Sequence, residues 1–186
     1  MLFGYLGVLI AAATGFVAEV PDTLKTRLVP TNEVRGVFVQ TKTLPTGEKF
    51  VSSGDYCVRP GVDFSWRTTD PFDTLFFATQ KEYVYSNEDE VVSRPLKDLP
   101  GFSSFAEAQA GDFSGYFKVF DSLYKEEDGR FFVLSRPKVF KLKKVLERVE
   151  IEGDSTNLLM KATFPDKTTI EVRLTDVPSG SAGLLK

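Results

Sequence analysis

Between Val34 and Glu90 apolar residues return at every second position, a period that specifies half-buried strands and excludes a helical core. The alternation is cleanest in "VDFSWRT" (62–68), where Val62, Phe64 and Trp66 face one way and Asp63, Ser65 and Arg67 the other. Proline and glycine punctuate the pattern. "VRGVFVQTKTL" breaks at "PTGEK", "FVSSGDYCVR" breaks at Pro60-Gly61, and "DTLFFATQ" and "EYVYSNEDE" follow. The spacing predicts an antiparallel meander of about five strands joined by connections of about 2–6 residues. Phenylalanine supplies 17 of the 186 residues, enough to fill a core or to line a cavity that stays apolar yet open.

Arg59 interrupts the pattern. It ends one extended run beside the turn, and a guanidinium cannot neutralise itself by losing a proton. It is either a solvated charge at the turn or a group that must find acceptors on the inner face of the sheet.

The middle of the chain has a different rhythm. Ser104 and Glu107 have capping-box spacing for a short helix over "FAEAQA", which Gly111 can end. Asp112 can cap a second helix, in which Phe113, Tyr116, Phe117, Phe120, Leu123 and Tyr124 recur at three-four spacing. These helices are expected to pack over an open face of the sheet. After a turn at Asp128-Gly129 the strands resume with "RFFVLSRPK". "VFKLKKVLERVEIEG" fits a helix by its first apolar residues and a strand over "RVEIEG". "NLLMKATF", "PDK" and "TTIEVRLTDV" form a final hairpin, and "PSGSAGLLK" is a frayed tail.

Residues 2–18, "LFGYLGVLIAAATGFVA", carry no charge and resemble the apolar region of a secretory signal, with cleavage expected after Ala13 or Ala18. The run is also near the ~18-residue threshold for a membrane span, so an uncleaved anchor is the competing reading. Either way the remainder is exported, beginning with "PDTLKTRLVP", a short capped helix over 22–28. Residues 19–186 are expected to form a single domain.

Two absences restrict the chemistry. The chain has no histidine, which removes Ser-His-Asp and Cys-His nucleophile systems and most zinc sites. Its single cysteine, Cys57, forbids an internal disulfide and lies in a strand-like run where a small buried residue fits. Net charge is −3 with both signs interspersed, so there is no basic face of the kind nucleic-acid binders present. No enzyme activity and no cofactor are expected.

The motifs quoted above resemble those of the periplasmic outer-membrane lipoprotein carrier (LolA-like) family. "DTLKTRL" is similar to that family's opening helix and "GVFVQ" to its first strand. "VRPGVDFSW" resembles its Arg-Pro turn and aromatic-x-Trp strand, with one extra residue at Asp63, and "GRFFVLSRPK" resembles a later strand ending in Pro-Lys. The likeness spans roughly residues 22–177. It implies a mainly β fold with some α: a curved antiparallel sheet forming an incomplete β-barrel, covered by a short helical lid.

The resemblance also implies a function. The chain would be a monomeric periplasmic carrier that shields the acyl chains of lipoproteins, or of a related acylated lipid, in an apolar cavity. It would take cargo from an inner-membrane exporter and give it to an outer-membrane acceptor. Phe38, Phe64, Trp66, Phe113, Phe117 and Phe120 are the candidate cavity lining. Arg59 would be a latch, its acceptors being backbone carbonyls of the lid when the cavity is empty. An envelope interaction or sensor domain using the same curved sheet without lipid transfer is the alternative.

Overall fold

The computed structural model describes residues 33–59, 61–96, 120–154 and 156–176. The apolar run at 2–18, the helix predicted at 22–28, the helix predicted over 105–110, the part of the second predicted helix up to residue 119 and the C-terminal tail lie outside the described residues.

Six strands come first: β1 (Val34–Thr43), β2 (Lys49–Arg59), β3 (Asp63–Asp70), β4 (Thr74–Thr79), β5 (Glu82–Ser86) and β6 (Val91–Pro95). The second half comprises β7 (Phe120–Glu127), β8 (Arg130–Pro137), a one-turn helix α1 (Phe140–Lys143), β9 (Arg148–Gly153), β10 (Asn157–Thr163) and β11 (Thr169–Asp176). All belong to one antiparallel sheet of 11 strands, in the order β6-β5-β4-β3-β2-β1-β11-β10-β9-β8-β7. Each half is a meander, and the halves join where the first strand pairs with the last, Phe38 opposite Leu174. Among the described residues β6 and β7 are the two edges, so the curved sheet is not closed into a barrel.

The alternation read from the sequence becomes the two faces of this sheet. Phe38, Tyr56, Phe64, Trp66 and Phe76 are buried on one face, while Val37 and Val39 between them are exposed on the other. The same inner face continues across the second half through Val133, Val149, Ile151, Met160, Val172 and Leu174. Phe64 and Trp66 are buried as the alternation requires, but Val62 is 56% exposed because it lies in the turn before β3 begins.

Two further sequence expectations change. β6 is a sixth strand of the first meander, and its polar, short sequence carries too little alternation to announce it. Phe120, Leu123 and Tyr124, expected on a helix, lie on β7. Asp128 and Gly129 take φ of 51° and 73°, the conformation of a two-residue hairpin turn whose twist matches paired strands. That turn zips β7 onto β8 from Glu127↔Arg130 to Phe120↔Pro137, which pairs the facing backbone groups of the two strands. Phe120 therefore points inward at 4% exposure, and Leu123 points outward at 66%. The ambiguous stretch after residue 138 divides. Its first part forms α1, and "RVEIEG" forms β9.

The β9–β10 connection ties stability to pH. The Asp154 carboxylate accepts backbone N–H bonds from Thr156 and Asn157 at 2.8 Å each, and these hold its pKa below the ordinary carboxylate value. A lowered folded-state pKa means that the bonds stabilise the fold above the unfolded value of about 3.9 and are lost as pH falls through the folded value. Asp154→Asn keeps an acceptor and removes the titration. Thermal melts between about pH 5 and about pH 2.5 should therefore show a shallower acid loss in Asp154→Asn than in the parent. Identical acid limbs in the two proteins would contradict this.

Candidate functional site

The charge of Arg59 has a local partner. Arg59 and Asp63 face one another across the β2–β3 turn, and both nitrogens on one side of the guanidinium bond the Asp63 carboxylate. The Nε–Oδ1 distance is 2.8 Å. The Arg59 side chain is half exposed, whereas that of Asp63 is 7% exposed. The hydrogen bond and the charge of Asp63 raise the Arg59 pKa further above its already high value. Asp63, the first residue of β3, is thus the acceptor that the arginine meets.

Phe38, Phe64 and Trp66 are brought together. The rings of Phe38 and Trp66 stack at 3.7 Å between centroids, and Phe64 lies 6.3 Å from Trp66. Phe76 and Tyr83 extend the cluster toward β5, with centroids 5.8 Å apart. Phe38 and Phe64 are each 1% exposed, so in this structure they are packed against neighbours. Phe120 is buried on the same inner face but at the far edge of the sheet, on β7. Phe113 and Phe117 lie outside the described residues. Cys57 sits on β2, where burial pushes its thiol pKa up and keeps it protonated.

The open space lies one step further along the same strands. Two residues beyond Phe38 on β1 is Gln40, and two beyond Trp66 on β3 is Thr68. Both line a pocket of about 410 Å³ at the end of the sheet where the β1–β2, β3–β4 and β5–β6 turns gather. Phe50, Phe72 and Tyr85 supply much of its apolar wall, and Phe50 and Phe72 remain 50% and 70% exposed. Asp73 at the rim is held by a bidentate Arg67 ion pair, at 3.0 and 2.8 Å, which lowers its pKa.

Polar atoms are placed sparsely in this space. Gln40 Oε1, Thr68 Oγ1 and, next to them in the cluster, Trp66 Nε1 are buried with no hydrogen-bond partner among the described residues. An apolar wall with a few unsatisfied polar atoms suits a ligand that is mostly hydrocarbon and carries a hydrogen-bonding group. The volume falls within the roughly 300–1,000 Å³ of small-molecule sites. Sequence reasoning passed over this pocket because Phe50 and Phe72 adjoin turns, where an aromatic reads as incidental. Their position next to turns at one end of the sheet was the available signal.

No family model matches the sequence, and no curated protein matches it. Solved structures do resemble the fold. A LolA superfamily protein from Nitrosomonas europaea aligns over 97% of both chains with a TM-score of 0.43 and 7% identity. A DUF1329 family protein from Desulfovibrio piger covers 96% of this chain and 95% of its own, with a TM-score of 0.43 and 12% identity. An outer membrane lipoprotein-sorting protein domain from Vibrio parahaemolyticus covers 94% and 92%, with a TM-score of 0.39 and 8% identity. At these values the likeness is one of general architecture.

Proposed function

We infer that this chain is a non-enzymatic lipid carrier: exported to the periplasm, it shields the acyl chains of a lipoprotein or related acylated lipid between the two membranes. The observation that carries the reading is the pocket at the open end of an otherwise buried apolar face. Transfer of hydrocarbon into such a site is favourable by about 0.8 kcal/mol per CH₂ and needs no catalyst or cofactor. An inner-membrane exporter would supply the cargo and an outer-membrane acceptor would receive it. Residues 1–18 would serve as the export signal and 19–186 as the single carrier domain.

In this proposal the pocket is the entrance, and Phe38, Phe64 and Trp66 form the deeper wall, with Phe120, Phe113 and Phe117 facing them. Arg59 keeps a latch role only by sharing. A guanidinium has five N–H donors, so the bonds to Asp63 leave donors for carbonyls of a lid. Equal off-rates of a fluorescent fatty acid from Arg59→Leu and the parent would remove that role.

Purified protein, extracted and examined by mass spectrometry, should release bound lipid, and a fluorescent fatty acid should compete for the same site. Phe50→Ser and Phe72→Ser alter exposed rings, so both variants should fold normally. Each should weaken the probe by about three- to tenfold, a part of the ~1.5–3 kcal/mol for a fully buried phenylalanine. Unchanged affinity in both variants, with no lipid in the extract, would overturn the carrier reading.

A further inference from the structure

We propose that the connection between β8 and β9 is a docking surface for an anionic lipid bilayer. Between Arg136 and Arg148 the chain "RPKVFKLKKVLER" places six basic residues against a single acidic one, Glu147, in a protein whose net charge is −3. That acid is occupied, because its carboxylate accepts the Lys167 ammonium at 2.9 Å. Lys141, Lys143 and Lys144 are all exposed, and none makes an ion pair among the described residues. Lys138 pairs with Asp121 at 3.0 Å and Arg148 with Glu150 at 3.2 Å, so the uncompensated charge is concentrated on the three lysines of α1 and its end.

Apolar side chains share that surface. Phe140 is 71% exposed, Val139 40% and Val145 38%. They are held outward by the way the segment is anchored. Leu142 packs against the core, Leu146 is 6% exposed, and the Leu146 N–H donates to the Leu142 carbonyl. With those two leucines fixed inward, Phe140 and the lysines have no inward alternative. Lys144 Nζ lies 4.7 Å from the centroid of the Phe140 ring, so the cation and the aromatic occupy one patch.

The composition distinguishes a bilayer from a protein partner. Lysine is depleted at the centre of protein interfaces, where its desolvation is costly. At a membrane surface the same side chain lays its hydrocarbon stem along the apolar boundary and keeps its ammonium among headgroups, beside inserted aromatics. The register Ser135↔Val149, Val149↔Ala162, Ala162↔Ile170 and Ile170↔Lys42 puts this connection on the end of the sheet that carries the pocket. Docking would bring that end toward the lipid. The surface is independent of what the pocket holds.

The test uses the full chain and vesicles of phosphatidylcholine with or without about 30 mol % phosphatidylglycerol. Taking the ratio of the two affinities cancels any insertion by the apolar N-terminal run, which does not depend on lipid charge. The parent should prefer the anionic vesicles, and the preference should fall with salt. Replacing all three lysines together (Lys141→Gln, Lys143→Gln, Lys144→Gln) should reduce anionic-vesicle affinity about a hundredfold, at roughly fivefold per lysine. A fluorophore attached in a Cys57→Ser, Phe140→Cys variant should shift to the blue when anionic vesicles bind. Equal affinity of the parent for both vesicles overturns the proposal, as does a triple variant that retains the preference. So does an unshifted fluorophore on vesicle-bound protein. A parent that ignores vesicles altogether also overturns it and leaves the patch to a protein partner.

Discussion

Phe64→Asp should abolish the cooperative unfolding transition of this protein. Phe64 is 1% exposed and tilted against both Trp66 and Phe76, with ring centroids 6.3 Å away in each case. Truncating a buried phenylalanine alone costs about 3–5 kcal/mol. A carboxylate at that position adds the cost of an unpaired charge in an apolar surrounding, and whole domains are stable by only about 5–15 kcal/mol. A sequence reading that places Phe64 on an open cavity wall expects a folded variant with weaker ligand binding. Burial makes loss of the fold the expected result. Val62→Asp, two residues away at 56% exposure, should melt close to the parent. A circular dichroism melt of the two variants decides the point, and a native-like melt for Phe64→Asp would show that the inner face opens readily.

Gly54→Ala should cost nearly as much by a different mechanism. The register of β2 against β3 shifts between Ser53 and Gly54, a bulge that draws the two backbones together. A Cβ at residue 54 would stand 1.8 Å from the Arg67 carbonyl oxygen and 2.9 Å from the Thr68 Cα. Both are backbone atoms, so no side-chain rotation relieves the overlap. The strands must part around Thr68, which lines the pocket. We expect a loss of about 3 kcal/mol or more, or roughly 6–12 °C in Tm for a chain of this size. Faster hydrogen exchange at the Arg67 and Thr68 amides should accompany it. An unchanged melting temperature would mean that the bulge is loose enough to accept a methyl group.

The alternation of apolar residues was sufficient to specify most of the sheet, because a strand's side chains must alternate faces whatever surrounds them. Turns marked by Pro-Thr-Gly, Pro-Gly, Asp-Gly and Pro-Asp-Lys were equally legible, since their backbone conformations restrict the residue types allowed. Phe38, Phe64 and Trp66 could be assigned to one inner face for the same reason. Local pattern failed where two periods coincide. Residues 120, 123 and 124 satisfy a helical spacing, and only the ladder between β7 and β8 decided for the strand. The site was the least legible part. Whether an inward phenylalanine is packed or lines open space depends on the neighbours that the register supplies from distant strands. The pocket arises because Gln40, Phe50, Thr68, Phe72 and Tyr85, from five different places in the chain, meet at one end of the sheet. The partner of Arg59 is the converse case. Asp63 lay four residues away in the sequence, but the alternation assigned it only a facing, and the pairing across the turn made it the acceptor. Sequence sets the direction in which each side chain points, and tertiary structure decides what it meets there.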